Sequence, residues 1–136
     1  MNLFNLEGKV AIVTGATGLI GQNHCKALAE AGANIVVADL NRNRCEDVIR
    51  NLSNPEKHYA ISFDITSEEE VKAASLEIMG KYGTIDILVN NAAINDMFEN
   101  PLMAGENSMF ENYPVEMFRK SLEANVTGTF LCCQVF

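Results

Sequence analysis

Hydrophobic residues fall into two periods along this chain. Four short runs, at 9–13, 34–39, 59–64 and 85–89, are apolar at most positions, and all but 59–64 are rich in β-branched residues. Such runs predict strands buried on both faces of a parallel sheet. Between them the spacing changes to three and four. A first helix carries Ile20, Ala27, Leu28 and Ala31 on its expected inner face and stops at Gly32. A second, from Arg42 to about Leu52, repeats apolar residues at Cys45, Val48, Ile49 and Leu52, and a turn with Pro55 follows it. Ser67 followed by Glu70 is a capping-box signature, opening a third helix with Val71, Ala74, Ile78 and Tyr82 inward. Pro114 opens the last helix, whose predicted buried stripe is Phe118, Leu122, Val126, Phe130 and Cys133.

Strands alternating with helices at this spacing form βαβ units, and right-handed crossovers then place helices on both faces. The predicted fold is α/β, a doubly wound parallel sheet left incomplete at about four strands, in one domain over residues 1–136. Only residues 94–113 break the rhythm, a stretch longer than most connections in a compact domain. Its Met97, Phe98, Leu102, Met103, Met109 and Phe110 suit a surface insertion with a local hydrophobic tuck, or else a lid or an interaction patch.

Composition narrows the function. The chain has 136 residues, 48% of them apolar, and a mean hydropathy near zero, which suits one globular core. Its apolar runs fall far short of the ~20 residues that span a bilayer. No basic segment followed by an apolar one opens the chain, so a cytoplasmic location is expected. A formal charge of -8 repels phosphate backbones and argues against nucleic acid as a partner. Cys25, Cys45, Cys132 and Cys133 lack metal-ligand spacing and are expected as free core or half-buried thiols. His24 and His58 stand apart, without a carboxylate pattern beside them, and are read as structural.

The sharpest signal is Thr14-Gly15-Ala16-Thr17-Gly18-Leu19-Ile20-Gly21, between the first strand and the first helix. Gly15 permits a tight turn off the strand, Gly18 leaves room for a pyrophosphate against backbone N–H groups, and Gly21 allows close packing behind them. Asp39, at the end of the second strand, can accept hydrogen bonds from both hydroxyls of an adenine ribose and repels a 2′-phosphate. That pattern predicts NAD, with NADP as the alternative because Arg42 and Arg44 follow closely. Asp64 ends the third strand in the same manner and, with Ile65, can border the adenine ring.

With these residues in view, the chain resembles the short-chain dehydrogenase/reductase family over essentially its whole length. The resemblance extends to Asp64-Ile65, to Asn90-Asn91-Ala92-Ala93 after the fourth strand, and to Asn125 in the last helix. It implies a Rossmann-like fold and a cofactor lined by Gly15, Thr17, Gly18, Leu19, Ile20, Gly21, Asn91, Ala92 and Ala93. It also implies that Asn125 supports a water in a proton relay, as the catalytic position present; a structural role for its buried amide is the alternative.

Three departures qualify the resemblance. The middle glycine is Gly18, where the family's short branch has it at the position of Leu19, a spacing closer to the longer branch that acts on nucleotide sugars. Ala93 replaces the usual glycine. The family's Tyr-x-x-x-Lys is also missing, since no lysine stands four positions after Tyr59, Tyr82 or Tyr113. The expected protein is therefore the cofactor-binding part of an NAD-dependent oxidoreductase of small alcohols or carbonyl compounds, inactive on its own. The alternatives are a nucleotide-sugar epimerase or dehydratase and a non-catalytic dinucleotide-binding protein. Homo-oligomers are expected, because strand 85–89 and the last helix would otherwise lack cover.

Overall fold

The computed structural model describes residues 4–95 and 109–136. Four strands, β1 (Val10–Thr14), β2 (Asn34–Asp39), β3 (Tyr59–Ser62) and β4 (Ile87–Val89), form one parallel sheet in the order β3-β2-β1-β4. Val13 lies opposite Val37 on one side and Val89 on the other, so β1 is central. The helices are α1 (Leu19–Glu30), α2 (Arg42–Arg50), α3 (Glu68–Tyr82), α4 (Val115–Leu122) and α5 (Thr129–Val135). A π-helical turn over Glu123–Gly128 joins the last two. The expected incomplete Rossmann-like α/β architecture is the one observed.

Strand periodicity builds two cores. Ala11, Val13, Ile35 and Val37 face Cys25 and Ala29 of α1 and Cys45 and Val48 of α2. The alternate residues Val10, Ile12, Val36 and Ala38 face Val71, Ala74 and Ile78 of α3 and Leu131 and Cys132 of α5. Every residue of β1 is buried, which is why the strand reads as an apolar run up to Thr14.

Helix ends follow local chemistry. Asn41 Oδ1 accepts the Arg44 N–H at 3.1 Å to cap α2, and Ser67 Oγ accepts the Glu70 N–H at 3.3 Å to cap α3. The other half of the expected capping box is redirected, because Glu70 accepts from the Asp64 N–H at 2.8 Å and not from Ser67. Gly83, at φ 76°, ends α3 in the left-handed conformation.

Two predicted helix faces are corrected. On α1 the buried residues are Gly21, Cys25 and Ala29; of the expected face, Leu28 does pack half-buried on the core, whereas Ile20 is exposed at the first turn and Ala27 faces solvent. On the last helix the expected stripe is outside: Phe118, Leu122, Val126 and Phe130 are each at least 44% exposed, and Cys133 is exposed too. Ala124, Gly128, Leu131 and Cys132 are buried instead. Pro114 precedes the first turn of α4 as its cap residue. Of the 94–113 segment, Met97, Phe98, Leu102 and Met103 lie outside the described residues, while Met109 and Phe110 are exposed.

His58 has a structural place. The Ile35 N–H donates to its Nδ1 at 3.0 Å, which leaves the proton on Nε2 to donate to the Ser53 carbonyl at 2.8 Å. His58→Phe fills the space but orphans that buried N–H, so it should lower unfolding free energy by about 1–3 kcal/mol in denaturant titration.

Burial also sorts the thiols. It pushes Cys25 up to about 12, with Cys45 nearby adding to the effect, and Cys45 and Cys132 up to about 11, so all three stay protonated and inaccessible at neutral pH. A thiol reagent applied to the folded protein should therefore label Cys133 rapidly, and the other three only after denaturation.

Candidate functional site

The C-terminal ends of β1 and β4 are where the sheet's connections part to opposite faces. After β1 the chain turns into α1 over one core, and the helices beyond β4 cover the other. Such a switch point opens a crevice at the strand ends. Here it is a cleft of about 1150 Å³, somewhat larger than the usual small-molecule site.

The floor of the cleft is a junction between two loops. Gly15 adopts φ 61°, and a Cβ there would sit 2.7 Å from Ala92 Cα. The Asn91 Nδ2 donates to the carbonyls of Thr14 and Gly15, both at 3.0 Å. Thr14 Oγ1 answers by accepting the N–H groups of Asn91 at 3.2 Å and Ala92 at 3.1 Å. Behind the turn, a Cβ on Gly21 would lie 2.8 Å from Ala16 Cα and 2.9 Å from Asn91 Nδ2. The packing that Gly21 permits is thus helix against loop.

Gly18 differs from its neighbours, because a Cβ there would meet only the Gly15 carbonyl, at 3.4 Å. Among the described residues, its chain neighbours apart, nothing else lies within 4 Å of that position. Gly18 is also the cap residue of α1 and supplies no side-chain hydrogen bond, so the first-turn N–H groups of α1 open toward the cleft. An uncapped helix start beside a glycine turn has the geometry and the partial positive charge to hold an anion.

Along the wall, Asp39 accepts from Thr17 and from the Leu40 N–H. Asp64 is partly a turn acid: its Oδ1 accepts the Thr66 N–H at 2.8 Å and the Thr66 hydroxyl at 2.7 Å, yet it borders the cleft with Ile65. Ile65 is held by the last helix, since a Cβ on Gly128 would strike its Cδ1 at 2.7 Å. Gly15, Thr17, Gly18, Leu19, Ile20, Gly21, Asp39, Asp64, Ile65, Asn91, Ala92 and Ala93 all line this one cleft.

Asn125 does not line it. The residue is largely exposed, and its amide brackets Ile94, accepting the Ile94 N–H at 2.7 Å and donating to the Ile94 carbonyl at 3.0 Å. It sits in the π turn, where the Thr129 hydroxyl donates to its carbonyl at 3.1 Å. Sequence reasoning passed over Thr14 as a site residue, and the signal was a hydroxyl ending an otherwise apolar strand. Lys120 and Glu123 also line the cleft and were unassigned to it, their charge legible but not their direction; Arg44, which the sequence offered with Arg42 as the ground for NADP, lines it as well.

No tyrosine borders the cleft among the described residues. Tyr82 donates to the Lys57 carbonyl at 2.9 Å, and burial pushes its hydroxyl up to about 12, the wrong direction for trading a proton near neutral pH. Among the described residues no group of His, Cys, Asp and Glu is placed to hold a metal, and no helix is long and apolar enough to cross a membrane.

Comparison with known proteins follows the same lines. The sequence pattern described as short chain dehydrogenase matches residues 9–136. A 2,5-dichloro-2,5-cyclohexadiene-1,4-diol dehydrogenase of Sphingobium indicum is 38% identical over 128 residues, covering 94% of this chain and 47% of its own. An NAD-dependent glycerol dehydrogenase of Listeria innocua is 34% identical over 132 residues, 97% of this chain and 47% of its own. Among solved structures, the Pseudomonas aeruginosa RhlG/NADP active-site complex superposes with a TM-score of 0.83 at 32% identity, over 98% of this chain and 48% of that one. The chain thus spans about half the length of the curated relatives it matches.

The junction of loops has a direct test. Gly21→Ala puts a methyl group against backbone that cannot yield without opening the turn, so it should cost about 1–3 kcal/mol of stability in thermal or urea unfolding.

Proposed function

The chain belongs to the short-chain dehydrogenase family of oxidoreductases, and on that premise we propose that it binds NAD and serves hydride transfer to or from a small alcohol or carbonyl compound. The observation that carries the reading is the alignment, along one cleft, of an uncapped helix start, the open face of Gly18 and the carboxylate of Asp39. These residues fit a dinucleotide. The α1 N-terminus would hold the pyrophosphate, Asp39 the adenosine ribose, and Asp64 with Ile65 would border the adenine. Bound there, the nicotinamide would supply the hydride acceptor or donor.

The protein's own groups would do the rest. Asn91, Ala92 and Ala93 would close the floor beneath the nicotinamide half, and their hold on Thr14 and Gly15 keeps that floor fixed. Asn125, through both polar atoms of Ile94, would position the segment leading away from β4; support of a water in a proton relay is the role that the family resemblance adds. The described tyrosines offer no group in the cleft to trade the substrate's proton. That group would come from outside these 136 residues, so the chain by itself should turn over no alcohol. A cytoplasmic homo-oligomer acting on small molecules, with neither nucleic acid nor membrane as partner, completes the proposal. The exposed stripe of Phe118, Leu122, Val126 and Phe130 supports association.

NADP is the second reading, favoured by Arg44 on the cleft wall. In the intact protein NADH should bind more tightly than NADPH in fluorescence titrations. Asp39→Ala should weaken NADH about tenfold and narrow the gap, as loss of a charge-assisted contact requires. Gly18→Val should weaken both dinucleotides together. Tighter NADPH binding by the unmodified protein would reverse the assignment in favour of Arg44.

A further inference from the structure

Asp39 is not free at the end of β2. Its Oδ2 accepts the Thr17 N–H at 2.9 Å and the Thr17 hydroxyl at 2.7 Å, while Oδ1 accepts the Leu40 N–H at 2.8 Å. Thr17 is itself buried, and it belongs to the glycine turn after β1. Three donors on two oxygens fix the carboxylate in one orientation, yet a carboxylate has acceptor capacity beyond them.

The cations nearby are unequally committed. Arg42 is turned to the sheet edge, with its guanidinium 5.5 Å from the centre of the Tyr59 ring, 3.4 Å from the Tyr59 hydroxyl and 3.8 Å from Glu77. Arg44 lines the same cleft as Asp39, five positions further along the chain, and makes no ion pair with another described residue. A loosened Asp39 carboxylate therefore has an uncommitted cation on its own cleft to move toward.

We infer that Thr17 is a specificity-determining positioning residue, whose hydroxyl holds the Asp39 carboxylate where a ribose 2′-hydroxyl is accepted and a 2′-phosphate is refused. This rests on the dinucleotide reading above. Without the hydroxyl, Asp39 keeps its two backbone donors but loses its shortest bond and is free to turn toward Arg44. Turning withdraws an acceptor from the ribose and lessens the repulsion of a 2′-phosphate. The pyrophosphate end, held by α1, is untouched. One buried hydroxyl thus governs discrimination between dinucleotides and not their binding in general.

The test is a set of fluorescence titrations of the intact protein with NADH and NADPH, on the wild type, Thr17→Val, Thr17→Ser and Asp39→Ala, after circular dichroism has checked each fold. Thr17→Val should weaken NADH about three- to tenfold, the effect of one lost hydrogen bond to a charge partly covered by the donors that remain, with NADPH changed less than about twofold. Thr17→Ser should restore the wild-type ratio. If Thr17→Val fails to fold, Thr17→Ala carries the same comparison. An unchanged ratio in the folded variant, or an equal loss for both dinucleotides, overturns the positioning role. Failure of the underlying reading is distinct: the wild type would then bind neither dinucleotide, or Asp39→Ala would leave the ratio where it was.

Discussion

Everything at the cleft depends on how closely two backbone segments meet above β1. The turn at Gly15 touches Ala92 with no side chain between them, and the Asn91 amide ties the carbonyls of Thr14 and Gly15 to the loop after β4. A parallel sheet whose central strand sends its helix to one face and whose neighbour sends its chain to the other must part at this point. The hydrogen bonds of Thr14 and Asn91 close the base of that gap and leave its mouth open. A bulkier residue at Gly15 or Gly21 would separate the loops, and with them the helix start and the floor on which a ligand would rest.

The strands and the turn chemistry were legible because their signals are local. A β-branched run needs only its own residues to declare burial on two faces, and Gly15 declares a turn by the same logic. The positions of Asp39, Asp64 and Asn91 followed from the strands they end. What could not be read was the partner of each polar group. Glu70 has two plausible acceptor roles within one turn of helix, and the geometry after β3 awards it to the Asp64 N–H. Thr17 and Asp39 are 22 positions apart, so their bond exists only once β1 and β2 are paired. Asn125 was expected to face inward and instead spans to Ile94, because the loop after β4 passes beside the π turn.

The two helix faces that were misread share one cause. Scoring a helix by hydrophobicity turns its largest apolar residues inward, which suits a helix set at ordinary distance from a sheet. The two misread helices on this sheet bury mostly small residues instead. The inward residues of α1 are Gly21, Cys25 and Ala29, and those running from the π turn into α5 include Ala124, Gly128 and Cys132, each set spaced four apart. Small residues at that spacing let neighbours approach: a Cβ on Gly21 would lie 2.8 Å from the Ala16 Cα, and one on Gly128 would strike the Ile65 side chain at 2.7 Å. Several large apolar residues of the same helices then lie outward, Ile20 at the cleft and Phe118, Leu122, Val126 and Phe130 at the surface, while Leu28 and Leu131 still pack inward. The last helix also carries a π turn at Asn125, whose amide bonds both backbone polar atoms of Ile94. A stripe of small residues four apart, beside a glycine turn or an asparagine that needs partners, is therefore a better guide to the inner face of such a helix than hydrophobicity.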